Sequence, residues 1–137
     1  MECIFYKQQY NIIYNISYLS LGSCIYAIYN KHYYISICPG GVFLTSINYW
    51  RFPDYSWRRY LDLIYVQLAL MYQLYKAYNS EYMMYYYLCT FVSIIMYYIS
   101  NMYYKKEMYW HSIYYHCLLH IFANIANIIL YSGHIKK

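Results

Sequence analysis

Charge is missing from long runs of this chain, and that constrains its fold more than any motif does. No Asp, Glu, Lys or Arg occurs from Gln8 to Asn30, from His32 to Trp50, from Tyr82 to Tyr104 or from Met108 to Ile135. Each run approaches or exceeds the roughly 20 residues that a helix needs to cross a bilayer. A further segment, Leu63 to Tyr75, reaches that length only by extending back through Tyr60, Leu61 and Asp62, which places a carboxylate inside a span. Charged residues make up 11% of the 137, against about a quarter in a soluble domain, so they cannot solvate one face of every helix. Mean hydropathy is only +0.17 because tyrosine scores poorly, and the chain has 27 of them. A tyrosine ring suits the membrane interface, where its hydroxyl stays wet.

These runs predict an all-α, polytopic transmembrane helix bundle of about five spans in a single domain, residues 1–137. The spans run about Asn11 to Asn30, Tyr33 to Trp50, Tyr60 to Lys76, Tyr82 to Asn101 and Met108 to Ser132. The second is the weakest, because Cys38-Pro39-Gly40-Gly41 interrupts it. A proline followed by two glycines breaks or kinks a helix unless neighbours satisfy the freed backbone groups. The alternative is a re-entrant segment. No cleavable signal peptide is evident in MECIFYKQQY, so the first span is expected to direct insertion.

Five spans put Lys7, Arg51, Arg58, Arg59, Lys105 and Lys106 on one side, and Lys31, Lys76, Lys136 and Lys137 on the other. The bias favours a cytosolic N-terminus. The net charge is +5, but the basic residues are split among short loops, which argues against nucleic acid as a partner. The expected partner is the lipid bilayer, with a second copy of the chain as a further candidate. Cys3, Cys24, Cys38, Cys89 and Cys117 show no CxxC spacing and read as free thiols. No GxSxG elbow, phosphate loop or dinucleotide fingerprint occurs.

Polar groups inside spans are costly, so each requires a reason. Parity places Ser46, Asp62 and the first half of the last span at the same membrane side. On that last helix, at roughly 100° per residue, His116, His120, Asn124 and Asn127 share a face, and His111 points away. On the third span Asp62, Val66, Ala69, Gln73 and Lys76 share a face. Two such stripes in a bilayer either face each other or line a wet cavity. HxxxH suits a metal ion, since it stacks two imidazoles one turn apart. The same stripe also serves as interhelical glue, at roughly 0.6 kcal/mol per hydrogen bond. Ser46 also reads as an ordinary packing serine, and Asp62 as an ion-pair partner of Arg58 or Arg59.

The segment TSINYW with Ser46, the following Asp62, and HCLLH with His116 and His120 on the last span resemble the alkaline ceramidase, hemolysin III and adiponectin-receptor superfamily of membrane hydrolases. The resemblance implies a zinc-dependent lipid amide or ester hydrolase. His116 and His120 would bind metal, and Asp62 and Ser46 would serve catalysis. The chain departs from the pattern at the position four after Ser46, where Trp50 replaces a histidine ligand, and in having five spans rather than seven. The first expectation is therefore a membrane component without assigned activity, of the kind found in viral or organellar membranes; the composition resembles that of short membrane proteins from large DNA viruses. The hydrolase is the alternative. A small transporter or channel lined by Asp62, Gln73 and Lys76 is the second.

Overall fold

The computed structural model describes residues 5–135. Among them the chain is all-helical, built from α1 (Lys7–Ile16), α2 (Tyr18–Tyr29), α3 (Tyr33–Trp50), α4 (Trp57–Ala77), α5 (Met83–Lys105) and α6 (Tyr109–Ser132). The first two form one rod. Ser17 keeps helical angles, but its hydroxyl donates back to the Ile13 carbonyl at 2.8 Å, and this back-bonding bends a helix locally. Five rods result, as the charge pattern predicts.

Three rods, Lys7–Tyr29, Met83–Lys105 and Tyr109–Ser132, are long and apolar enough to cross a membrane. At 1.5 Å per residue each is about 35 Å long, against a hydrocarbon core of about 30 Å. α4 is more polar and packs on α3, which in turn packs against the first rod. α6 is central: it lies along α5 and also touches α2 and α1, while α3 packs between α2 and α4. α4 and α5 barely meet, which leaves a cleft on that side.

The turns fold for local reasons. After α2, the Lys31 amide donates to Ile28 and the His32 amide to Ala27, with Lys31 at φ 65°. After α5, Glu107 donates to Tyr104 and Met108 to Tyr103, with Glu107 at φ 60°. Both are Schellman closures, in which a left-handed residue lets two terminal carbonyls find partners. The loop between α3 and α4 is held by Arg58, whose guanidinium donates to the carbonyls of Asn48 and Phe52, both at 2.7 Å, and pairs with Asp54 at 3.1 Å.

The interruption expected in α3 does not break it. The helix runs through Pro39. The Tyr65 hydroxyl of α4 donates to the Ile37 carbonyl at 2.6 Å, which ties α4 to α3 two residues before the proline. Gly41 permits this approach, because a Cβ there would fall 1.9 Å from the Tyr65 hydroxyl.

The distribution of polarity is the reverse of a soluble domain's. On α5 the outward stripe is Met84, Leu88, Phe91, Ile95, Tyr98 and Met102, and the inward one is Tyr86, Thr90, Ser93 and Ser100. On α2 Leu19, Ile25 and Ile28 face out while Ser20, Ser23 and Ala27 face in. Among buried side chains, polar ones outnumber hydrophobic ones. In water such an arrangement would expose the groups that drive folding and bury those that oppose it. In lipid it is favourable, because apolar surface meets acyl chains and small residues let helices approach.

Candidate functional site

Two apolar clusters close the ends of the bundle. Ile13, Tyr49, Trp50 and Ile113 pack near the N-terminal end, and Ala27, Ile35, Tyr86, Leu130 and Tyr131 pack near the other. Between them lies a cavity of about 440 Å³, set among α3, α4, α5 and α6 and reaching the cleft between α4 and α5. Val42, Leu63, Val66, Leu70, Ile94 and Leu119 supply apolar wall. Val66 and Tyr98 line it while remaining open to the outside.

All four site residues expected from the sequence line this one cavity. Ser46, on α3, donates to Asp62 Oδ1 at 3.2 Å. Asp62 sits in the second turn of α4 rather than the first, because that helix begins at Trp57. His116 and His120, one turn apart on α6, stand with ring centroids 5.0 Å apart. His111 is exposed and packs on Tyr103 outside the cavity. Lys76 lies over the rings of Tyr72 and Tyr75, also outside it, which removes a charge from the channel lining expected of α4.

The alternatives for each residue separate. Asp62 makes no ion pair among the described residues, since Arg58 pairs with Asp54. A second hydroxyl, that of Thr45, donates to the same Asp62 oxygen at 2.8 Å. Thr45 was not expected at the site. The only sequence signal was a second hydroxyl beside Ser46, and neighbouring helix positions do not normally face one partner.

The asparagines are interhelical glue. Asn124 accepts from Ser23 at 2.6 Å and donates to the His120 carbonyl at 2.7 Å, while Asn127 accepts from Gln73 at 3.1 Å. Gln73 also accepts from the Tyr131 hydroxyl. The imidazoles differ. His120 is joined to Asn124 through its backbone, and its ring, like that of His116, faces the cavity rather than a protein partner. Buried polar groups facing a cavity require water or a ligand.

Trp50 occupies the place that the resemblance gives to a third histidine. It packs on His116 with ring centroids 5.0 Å apart. A zinc centre needs at least three protein ligands. Among the described residues no three His, Cys, Asp or Glu side chains converge closely enough to hold a metal ion. Two imidazoles lie together, the carboxylate is engaged by two hydroxyls, and an indole fills the third position, so these residues do not fit a three-ligand zinc centre. The cysteines Cys24, Cys38, Cys89 and Cys117 are free, and Cys3 lies outside the described residues. Comparison of the chain with protein-family models, curated proteins and solved structures finds no match.

Proposed function

We propose that this chain is a multi-pass integral membrane protein that takes a lipid-like amphiphile into its helix bundle from the side, between α4 and α5. One observation carries the reading: Ser46, Asp62, His116 and His120 line a single cavity of about 440 Å³ whose walls are otherwise largely apolar. Apolar walls with a few convergent polar groups are the usual makeup of a small-molecule site. Ser46, Asp62 and the imidazoles lie toward the Trp50 end, while Gln73, Asn124 and Asn127 line the cavity further along and are engaged in interhelical bonds; an acyl chain would lie along Val66 and Leu119 with its head toward Asp62 and the imidazoles. The basic bias of the loops supports a cytosolic N-terminus, with the α3–α4 loop on the same side.

The test is photocrosslinking in phosphatidylcholine nanodiscs with a diazirine-bearing single-chain lipid, mapped by mass spectrometry. Label on Val66, Leu70 or Leu119 is the expected result. Label confined to the outer stripe of α5 would overturn the proposal.

The contact of Trp50 with His116 supports a second reading, a hydrolase-like ancestry in which one ligand has been lost. Trp50→His would then place a third imidazole against the existing pair and should gain about one zinc per chain on purification, where the unmodified protein carries none. A folded Trp50→His variant that gains no metal would remove this reading.

A further inference from the structure

A second, smaller cavity adjoins the first. It has a volume of about 90 Å³, and Asp62, Leu63, Tyr97 and His116 line both cavities, so the two adjoin at these side chains. Its remaining walls come from the N-terminal end of the bundle, with Trp50, Tyr104 and Arg59 among them.

Arg59 is the one lysine or arginine lining either cavity among the described residues. Its neighbour Arg58 is engaged by Asp54 and by the carbonyls of Asn48 and Phe52. Arg59 has no carboxylate within ion-pair distance among the described residues; its guanidinium instead lies 5.1 Å from the centre of the Tyr55 ring. Asp62 also borders the small cavity, but its Oδ1 is occupied by the Thr45 and Ser46 hydroxyls. A guanidinium is a forked donor that matches a carboxylate or phosphate in two parallel hydrogen bonds. At roughly 10–15 Å³ per water the chamber has room for about six to nine waters, which accommodates a carboxylate or phosphate head.

We infer that the amphiphile bound in the main cavity carries a small anionic head, a carboxylate or a phosphate monoester, which enters the side chamber and is held by Arg59. This rests on the cavity reading above and adds the charge of the ligand. It distinguishes this site from one made for a neutral amide or ester, for which a cation at the head end has no use.

The experiment uses the full chain in phosphatidylcholine nanodiscs, whose uncharged surface gives no anion preference of its own. Binding of oleate, oleyl phosphate and oleyl alcohol is measured by competition against the diazirine probe. The unmodified protein should prefer at least one anionic probe over oleyl alcohol by tenfold or more, and which one identifies the head. Arg59→Gln should abolish that preference while leaving oleyl alcohol binding unchanged, which also shows that the variant is folded. Arg59→Lys should retain part of it. Arg51→Gln removes the same charge from an exposed position outside the chamber and should change nothing. Equal binding of all three probes, or a preference that survives Arg59→Gln, overturns the inference and leaves the cavity reading intact. Failure of every probe to compete overturns both.

Discussion

At the scale of single residues, the site is organised by how each polar group finds a partner. Asp62 lies among apolar helices with two hydroxyl donors on one oxygen, from Thr45 at 2.8 Å and Ser46 at 3.2 Å. Thr45→Val removes the shorter bond. It should lower stability by about 1 kcal/mol, between the roughly 0.6 kcal/mol of an average interhelical hydrogen bond in a bilayer and the roughly 1.5–3 kcal/mol of bonds to charged groups. Ser46→Ala should cost less, because its bond is longer. Unfolding by sodium dodecyl sulfate in mixed micelles measures both, and equal losses would contradict the assignment of Thr45 as the main partner. In the α3–α4 loop, hydrogen bonding from Ser56, together with the Arg58 charge, holds the Asp54 carboxyl below the usual carboxylate range. A carboxyl depressed in the folded state stabilises the loop above its unfolded pKa, and that contribution disappears as pH falls through the lower folded value. Amide protection of Arg51, Phe52 and residues 54–56, measured as exchange relative to the intrinsic rate at each pH, should therefore fall in acid, and Asp54→Asn should show the low protection at every pH; a loop in the unmodified protein that stays equally protected throughout would refute this. Ser46, Asp62, His116 and His120 could be placed together from helix parity and a 100° step alone. Thr45, and the contact of Trp50 with His116, could not, because both depend on how α3 is rotated against its neighbours, and no charge or period in the sequence encodes that rotation.

At the scale of elements, three turns carry a left-handed residue that is not glycine, Lys31, Asn79 and Glu107. Holding an L-residue there costs roughly 1–2 kcal/mol, and glycine recovers part of it. Lys31→Gly and Glu107→Gly should each raise stability by about 0.5–1 kcal/mol, once the greater freedom of glycine in the unfolded chain is offset. A loss on either substitution would show that the side chain makes a contact outweighing the backbone cost. Gly41 has the opposite requirement. Its missing Cβ is the space that Tyr65 occupies, so Gly41→Ala should separate α3 from α4 and lower stability, the reverse of the roughly 0.5–1 kcal/mol that an ordinary Gly→Ala change gains on a helix. Tyr65→Phe, which keeps the ring and loses the bond to Ile37, should be the milder variant. Measuring both by the same unfolding assay decides whether space or the hydrogen bond dominates. The charge-free runs marked four of the rods to within a few residues, and α4 only through its stretch Leu63–Tyr75, which begins six residues after the helix does; three of the five rods are long and apolar enough to cross a membrane. The bond that ties α4 to α3 beside Pro39 was not legible, because Tyr65 lies 26 positions beyond the proline, on another helix.

At the scale of the whole molecule, outward apolar stripes, inward serines and asparagines, and a cavity open to the side are consequences of one condition: lipid surrounds the bundle. In lipid, the polar interior supplies interhelical bonds, and the outer faces need no further cover. The most direct measurement is a nitroxide scan of α5 in liposomes, with single labels at Met84, Leu88, Phe91, Ile95, Tyr98 and Met102 and at the inward Thr90 and Ser93, each read for collision with oxygen and with a water-soluble nickel chelate. Labels at the outer positions near the middle of the helix, Leu88 to Tyr98, should collide freely with oxygen and hardly at all with nickel, and those at Thr90 and Ser93 should be shielded from both. Free access of nickel to the whole outer stripe would place α5 in water, and the cavity, its ligand and the role of Arg59 would then lose their foundation.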